Sequence, residues 1–515
     1  MKYKGAVAAG HAETVKVAEQ VLRDGGNAFD AVVAGHFVAC VVEPVLASLG
    51  GGGYLTFRDS RGTSGVYDFF VQTPRHKPAI DELDFYPIQA DFGTASQEFH
   101  IGRASVATPG SLKGMFAIQR EQGSMPMSRL VEPAIALAKD GVALNAFQAY
   151  ILDIVKPIYR VDKQSRDAFV TDAGDIKKVG ERYYKPGFAQ VLDALVHEGE
   201  DLFYRGEIAQ LIATVTEDGG CLRREDLERY ELIRRRPLIS DYASHRIITN
   251  PLPSSGGALI HFALQLLSAY RPGQYRRGSY EQLSMLAATM KATNRARLEV
   301  AVSNSDSIND GISALLDKEF LAQFLSDLKN RAQALRGTTH ISVVDAKGNA
   351  AAMTVSNGEG CGHMVPGTGI MLNNMLGEED LNPQGFHRWQ TNQRMTSMMS
   401  PTLIQDNAGN VTALGSGGSN RIRTTILQLL VNRLDFGMSL EEAIIQPRIH
   451  LEGETLNIEG GIREDVVQQL MREYPDHVLW PEHNLFFGGA HAVAQTEKGF
   501  EAFGDPRRGG EAVII

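Results

Sequence analysis

The sequence predicts a layered α/β (α+β) protein in which helices cover stacked antiparallel sheets. Three observations carry this reading. The 515 residues exceed the ~250–300 at which a single hydrophobic core stops growing. Helical spacing of apolar residues dominates the chain up to Leu335, and alternating strand patterns dominate after Thr338. No repeat, low-complexity segment or long linker separates the two parts, so two interlocked halves bury this apolar content better than two beads.

Taken in order, Gly5–Ala9 reads as a short strand and His11–Arg23 as a helix with Val15, Ala18 and Leu22 on one face. Gly25-Gly26 stops that helix and Asn27 caps the next. Ala28–Val42 is apolar almost all round, which places it in the core. It contains Asp30 and His36 and falls short of the ~20 residues that span a bilayer. The glycine run Gly50–Gly53 indicates tight turning or close backbone approach. Neither Lys-Ser nor Lys-Thr follows it, and it enters a strand, so it is not read as a phosphate loop.

Strands are expected at Tyr54–Arg58, Ser64–Phe70 and Ser105–Gly110, the last ending in a turn. Helices are expected at Leu112–Glu121, Leu130–Lys139, Phe188–Glu198, Glu207–Asp218 and Arg224–Tyr230. The charge run Arg234–Arg236 reads as a solvated face. Pro251–Gly257 opens a long helix, Ala258–Tyr270, and helices dominate from Tyr280 to Leu335. Strands follow at Thr339–Val344, Ala350–Val355, Thr402–Ile404 and Val411–Leu414, then helices at Arg423–Leu434 and Leu440–Ile445, and short strands to the C-terminus.

Hydrophobic residues make up 43% and charged residues 22%, the balance of an ordinary globular protein rather than a disordered one. A net charge of −10 argues against nucleic acid and anionic membranes as partners. The three cysteines, Cys40, Cys221 and Cys361, are odd in number and in no metal-ligand spacing. They predict neither a disulfide framework nor a metal site, and they suit a reducing compartment. The N-terminus lacks an apolar core long enough for a signal peptide. The expectation is a soluble, cytoplasmic protein.

The most informative stretch is Arg336-Gly-Thr-Thr-His-Ile-Ser-Val-Val-Asp345, followed by Ala-Lys-Gly-Asn349. Alternation closed by a Gly-Asn turn reads as a strand entering a hairpin. A Thr-Thr pair suits a strand in any case. A cut before Thr338, however, would give this residue a hydroxyl and a free α-amine. That amine has an ordinary pKa of roughly 7.7–8.0, so nucleophile and base would share one residue.

An ordered series of motifs surrounds that stretch. It comprises Asp24-Gly-Gly-Asn-Ala-Phe-Asp-Ala31, the glycines 50–53, Ala107-Thr-Pro-Gly110, Leu130-Val-Glu-Pro-Ala134, Phe203-Tyr-Arg-Gly206 and Pro253-Ser-Ser-Gly-Gly257. After Thr338-Thr-His come Gly367-Thr-Gly-Ile-Met-Leu-Asn-Asn374, Ser400-Pro-Thr402, Gly415-Ser-Gly-Gly-Ser-Asn-Arg421 and Gly504-Asp-Pro-Arg507. With these the chain resembles, over nearly its whole length, the γ-glutamyltransferase family of N-terminal-nucleophile hydrolases.

The resemblance implies a four-layer αββα sandwich and an inactive precursor that cuts itself between Gly337 and Thr338. Residues 1–337 would form a helix-rich large subunit and 338–515 a strand-rich small one, interlocked as one body. Thr338 would attack an acyl donor, and water or an acceptor amine would resolve the acyl-enzyme. Ser356 aligns with the hydroxyl residue that bonds the nucleophile. Asn357 aligns with a substrate-contacting Asn, and Gly418 and Ser419 with the paired glycines of the oxyanion hole.

The substrate pocket departs from the family pattern. Phe70 stands where members carry an Arg for the donor's α-carboxylate. Ser397-Met398 replaces paired serines, Glu378 matches the acid that holds the α-amino group, and Met375 replaces a polar neighbour. The expected function is a self-processing γ-glutamyltransferase or glutathione hydrolase-like enzyme. Its rival is an amidohydrolase of the same superfamily acting on a non-glutamyl amide, like the oxamate amidohydrolases and cephalosporin acylases. A third reading, an unprocessed non-catalytic homologue, sits poorly with the intact Gly337-Thr338-Thr339-His340. The expected partners are a small-molecule amide, water or an amine, and no metal or organic cofactor is required.

Overall fold

The computed structural model describes residues 3–91, 96–303, 315, 337–382 and 384–515. Two antiparallel sheets lie face to face. The first runs in the order 511–514, 5–9, 339–345, 350–356, 52–58, 64–69 and 233–235. The second runs 499–504, 489–496, 411–417, 402–405, 245–249 and 238–242.

The strand alternation dictates the layering. On Gly5–Ala9, Ala6 and Ala8 point between the sheets, where they meet Leu403, Ala413 and Val493. Val7 and Ala9 point the other way, into a cluster with Val33, Phe37 and other residues of Ala28–Val42. Small residues in the inter-sheet layer let the two backbones approach. The outer face of the second sheet carries Ile247, Ile404, Leu414 and Ala492, packed on Ile260, Leu264, Ile426 and Leu430 of the helices Ser255–Tyr270 and Arg421–Leu434. The result is helix–sheet–sheet–helix, the four-layer sandwich that the resemblance implied.

The helix Ala28–Val42 is buried along its whole length, and Asn27 and Asp30 close its start with a capping box. Both sheets draw strands from the two sides of residue 337. The strand Gly5–Ala9 pairs with Thr339–Asp345 on one edge and with Glu511–Ile514 on the other.

Several expectations need correction. Ser105–Gly110 is not a strand. A 3-10 turn occupies Arg103–Ser105, and only Thr108 pairs, with Gln72. Pro109 has no N–H to extend the ladder. The hairpins Tyr86–Asp91 with Ser96–Ile101 and Leu238–Tyr242 with His245–Thr249 lie in stretches where no element was expected, and Glu464–Glu473 is a helix where only short strands were expected. Arg234 is exposed as read, but Ile233–Arg235 is the edge strand of the first sheet, and Arg235 Nε donates to the buried Asp68 Oδ2 at 2.7 Å. Tyr280–Ser303 is one helix; the rest of the helical stretch expected up to Leu335 falls, Leu315 apart, outside the described residues. Among the described residues no helix is long and apolar enough to cross a membrane, and no cluster of three His, Cys, Asp or Glu side chains has the arrangement to hold a metal ion.

Candidate active site

Pairing of the central strands builds the site. Thr339 stands opposite Val355 in the antiparallel ladder. The next positions outward are therefore Thr338 and Ser356, at the same end of the first sheet. Thr338 Oγ1 donates to the Gly337 carbonyl oxygen at 2.7 Å, and Ser356 Oγ donates to the same oxygen at 2.8 Å. The Ser356 hydroxyl is itself oriented by the Gly358 N–H, 2.9 Å away. On the other side of the residue, the Gly337 N–H donates to Glu359 Oε1 at 3.0 Å.

The second sheet supplies the facing wall. At Gly417, the last residue of its strand, a Cβ would lie 2.1 Å from the Thr338 carbonyl oxygen, so only glycine fits. Gly418 and Ser419 follow with φ of 119° and 51°, and their carbonyls accept from Arg421 and Ile422 as the helix Arg421–Leu434 begins. The Ser419 hydroxyl donates to Asp380, which anchors a left-handed conformation unusual for serine. The Gly418 and Ser419 N–H groups make no hydrogen bond to any described residue. Two N–H groups at a helix start, beside the Thr338 hydroxyl and without a described partner, have the chemistry to hold a developing negative charge.

A cavity lies beneath Thr338 and Ser356. Of the residues expected to contact substrate, Phe70, Glu378, Ser397 and Met398 all line it, together with Met375 and Met399. About 20 Å³ is free, room for roughly one water. The methionines are adaptable walls that repack around an occupant. Asn357 is the exception. Side chains alternate along a strand, and Asn357 falls outside this lining, wholly buried and with neither amide atom hydrogen-bonded to a described residue.

A sequence model for gamma-glutamyltranspeptidase matches residues 14–515. The chain belongs to that family. It is 29% identical over 497 residues to the glutathione hydrolase proenzyme of Escherichia coli (strain K12), covering 91% of this chain and 84% of that protein. It is also 29% identical to the acylase ACY 1 proenzyme of Pseudomonas sp. (strain V22), covering 96% and 90%. Among solved structures, cephalosporin acylase from Bacillus halodurans superposes with a TM-score of 0.84 at 22% identity, over 99% of this chain and 96% of that one. The gamma-glutamyltranspeptidase of Helicobacter pylori gives 0.54 at 24% identity, over 63% and 91%. The fold is the αββα sandwich of the N-terminal-nucleophile hydrolases.

Against this family background the pocket offers no cation at Phe70, which is wholly buried and stacked on Tyr54 with ring centroids 5.5 Å apart. Nearby, Arg394 is committed elsewhere. Its guanidinium lies over the Tyr230 ring, donates to the Phe70 carbonyl and the Tyr230 hydroxyl, and meets Asp68 Oδ1 at 3.6 Å. The Ser397 hydroxyl accepts from the Met399 N–H at 3.1 Å, and Met398 Sδ accepts from Ser255 Oγ at 3.7 Å.

Two further motifs of this gamma-glutamyltranspeptidase-family chain, at His340 and at Asp505–Arg507, are built into hydrogen-bond and ion-pair networks. His340 lies between the sheets with Nδ1 2.7 Å from Thr354 Oγ1 and Nε2 2.9 Å from Ser342 Oγ. Burial, and next His491, hold its pKa well below the usual imidazole value, so it is neutral. Asp505 is fixed by Arg448 at 2.5 Å and Arg507 at 3.3 Å, while Arg507 forms a two-pronged bond to Glu459 with both contacts at 2.7 Å. This lock holds the loop from which the buried Arg508 reaches the Thr338 carbonyl oxygen at 3.5 Å and the Leu485 carbonyl at 3.1 Å.

Two acids here escaped the sequence reading. Glu43 accepts from Thr339 Oγ1 at 2.9 Å, and burial pushes its pKa up to about 7. Its signal was a lone acid ending an apolar helix. Glu359, bonded to Gly337, sits between Gly358 and Gly360, an acid between two glycines shortly after Ser356.

Proposed function

We propose that this member of the family cuts itself between Gly337 and Thr338 and then works as a threonine-nucleophile enzyme of the γ-glutamyltransferase and glutathione hydrolase type, cleaving an amide through an acyl-enzyme. The observation that carries the reading is the meeting of two hydroxyls, from Thr338 and Ser356, on the single carbonyl of Gly337. Ser356 polarises that carbonyl, and Thr338 Oγ attacks its carbon. Hydrolysis of the resulting ester frees the α-amine, whose pKa of roughly 7.7–8.0 suits it to take the hydroxyl proton in later turnovers. Gly418 and Ser419 N–H groups would hold the oxyanion. Mass spectrometry of purified protein tests this: fragments 1–337 and 338–515 are expected, and a Thr338→Ala chain stays whole. A Thr338→Ala chain that cuts equally fast would refute it.

A second reading concerns the acyl group, and Phe70 and Arg394 favour it. A glutamyl donor brings an α-carboxylate that must exchange water for a protein partner. Phe70 offers no donor, and Arg394 is held by Asp68, Tyr230 and the Phe70 carbonyl. Charged hydrogen bonds contribute ~1.5–3 kcal/mol each, so two missing ones would lower kcat/KM by roughly two to four powers of ten. On this reading the donor is a non-glutamyl amide, and glutaryl-p-nitroanilide is turned over better than γ-glutamyl-p-nitroanilide. The opposite order, with ordinary kcat/KM for the glutamyl compound, would return the enzyme to γ-glutamyl donors.

A further inference from the structure

We propose that Glu359 is a positioning residue for self-cleavage, acting by pinning the N–H of the residue that is cut. The proposal rests on the self-cleavage reading above and names a group that reading does not use. Glycine at 337 has a wide choice of backbone angles. Two hydroxyls grip its carbonyl oxygen, but a carbonyl held only through its oxygen still turns about the bonds on either side. The Gly337 N–H bond to Glu359 Oε1, at 3.0 Å, adds a second fixed point on the same residue. With N–H and C=O both held, the carbonyl carbon keeps one face toward Thr338 Oγ.

The chain builds Glu359 for that reach. Gly358 and Gly360 have φ of 64° and 101°, and a Cβ on Gly358 would lie 2.0 Å from Asn374 Oδ1. This glycine–acid–glycine loop turns the backbone sharply just after Ser356. Asn374 then holds it. Its Oδ1 accepts from the Glu359 and Gly360 N–H groups at 2.9 and 3.3 Å, and its Nδ2 donates to Glu359 Oε2 at 3.4 Å. One carboxylate oxygen is steadied by Asn374 while the other takes the Gly337 N–H.

The step that Glu359 favours balances as follows. The Thr338 Oγ–carbon bond forms, the Gly337–Thr338 C–N bond breaks, and the Oγ proton passes to the Thr338 nitrogen. Water then splits the ester, giving a Gly337 carboxylate and restoring the Thr338 hydroxyl. Glu359 neither gains nor loses a proton in this sequence, so a neutral acceptor of the same length serves in its place.

The test follows the appearance of the two fragments with time after synthesis, for wild type, Glu359→Ala and Glu359→Gln, with the melting temperature of each freshly made chain. Glu359→Ala is expected to cut about ten- to a hundredfold more slowly, the worth of one hydrogen bond to a charged group expressed in a rate. Glu359→Gln, which still accepts the N–H, is expected to cut within a few-fold of wild type. Equal rates for wild type and Glu359→Ala would overturn the proposal. So would a Glu359→Gln chain as slow as Glu359→Ala with an equal loss of melting temperature, because that pattern belongs to a structural charge facing the nearby Arg508. A wild-type chain that never cuts would instead refute the self-cleavage reading, which separates the two failures.

Discussion

The Ser356 hydroxyl and the Gly337 carbonyl oxygen are 2.8 Å apart across 19 positions of chain. The ladder that pairs Thr339 with Val355 sets this contact. Ser356→Ala removes a donor from the carbonyl under attack without opening the core. Loss of one such donor typically lowers a rate by about 10²–10³-fold. Self-cleavage of Ser356→Ala is expected to slow by that order at an unchanged melting temperature, and Ser356→Thr is expected to recover most of it. Denaturing gels taken over time measure both.

Arg394 tests whether a displaced cation has taken over the role of the missing clamp. Its partners are the wholly buried Asp68, the Tyr230 ring and the Phe70 carbonyl. Removing one partner of a buried ion pair costs about 3–5 kcal/mol; the Arg235 contact to Asp68 places Arg394→Ala at the low end. The expected result is a loss of urea stability with the preference between glutamyl and glutaryl donors unchanged. A KM increase confined to the glutamyl donor would make Arg394 the clamp.

Glu43 gives a pH signature. Its carboxyl stays protonated in the fold up to about pH 7, whereas the unfolded chain ionises it near 4.5. Its contribution is whole below pH 4.5 and is lost as pH rises toward 7. The difference is worth about 3 kcal/mol. Glu43→Gln keeps an acceptor for Thr339 and cannot ionise. In the uncut Thr338→Ala background, where a single chain unfolds, Glu43→Gln is expected to be the more stable by about that amount at pH 8 and to match its parent near pH 4.5. Parallel stability curves would contradict it.

Asp505 has the opposite sign. Arg448 and Arg507 lower its pKa from 3.8 to about 2 against the cost of burial. Its contribution is present above pH 3.8 and lost as pH falls through about 2. Asp505→Asn leaves Arg448 without its carboxylate and loosens the loop that carries Arg508. The expected cost is about 3–5 kcal/mol at neutral pH, read by urea unfolding, together with slower self-cleavage. A loss below about 1 kcal/mol, the worth of an exposed pair, would remove the lock from this account.

Much of the site was legible in the chain itself. Gly337 and Thr338 stand out at the head of a strand whose periodicity is local, and the resemblance to the γ-glutamyltransferase family adds Ser356, Gly418 and Ser419. The helix Ala28–Val42 is legible too, from an almost unbroken apolar run that announces burial whatever packs on it. What the sequence alone determined was therefore most of the succession of elements, the family and the candidate nucleophile. Tertiary structure decided what contacts between distant segments decide. It placed Phe70, Glu378, Ser397 and Met398 around one cavity and turned Asn357 out of it. It committed Arg394 to Asp68, raised the pKa of Glu43 by burying it beneath Thr339, and brought Glu359 to the Gly337 N–H. No local pattern encodes these, because each depends on which low-dielectric neighbour or charged partner arrives from hundreds of residues away, or around a tight loop whose path is set by the glycines and by Asn374.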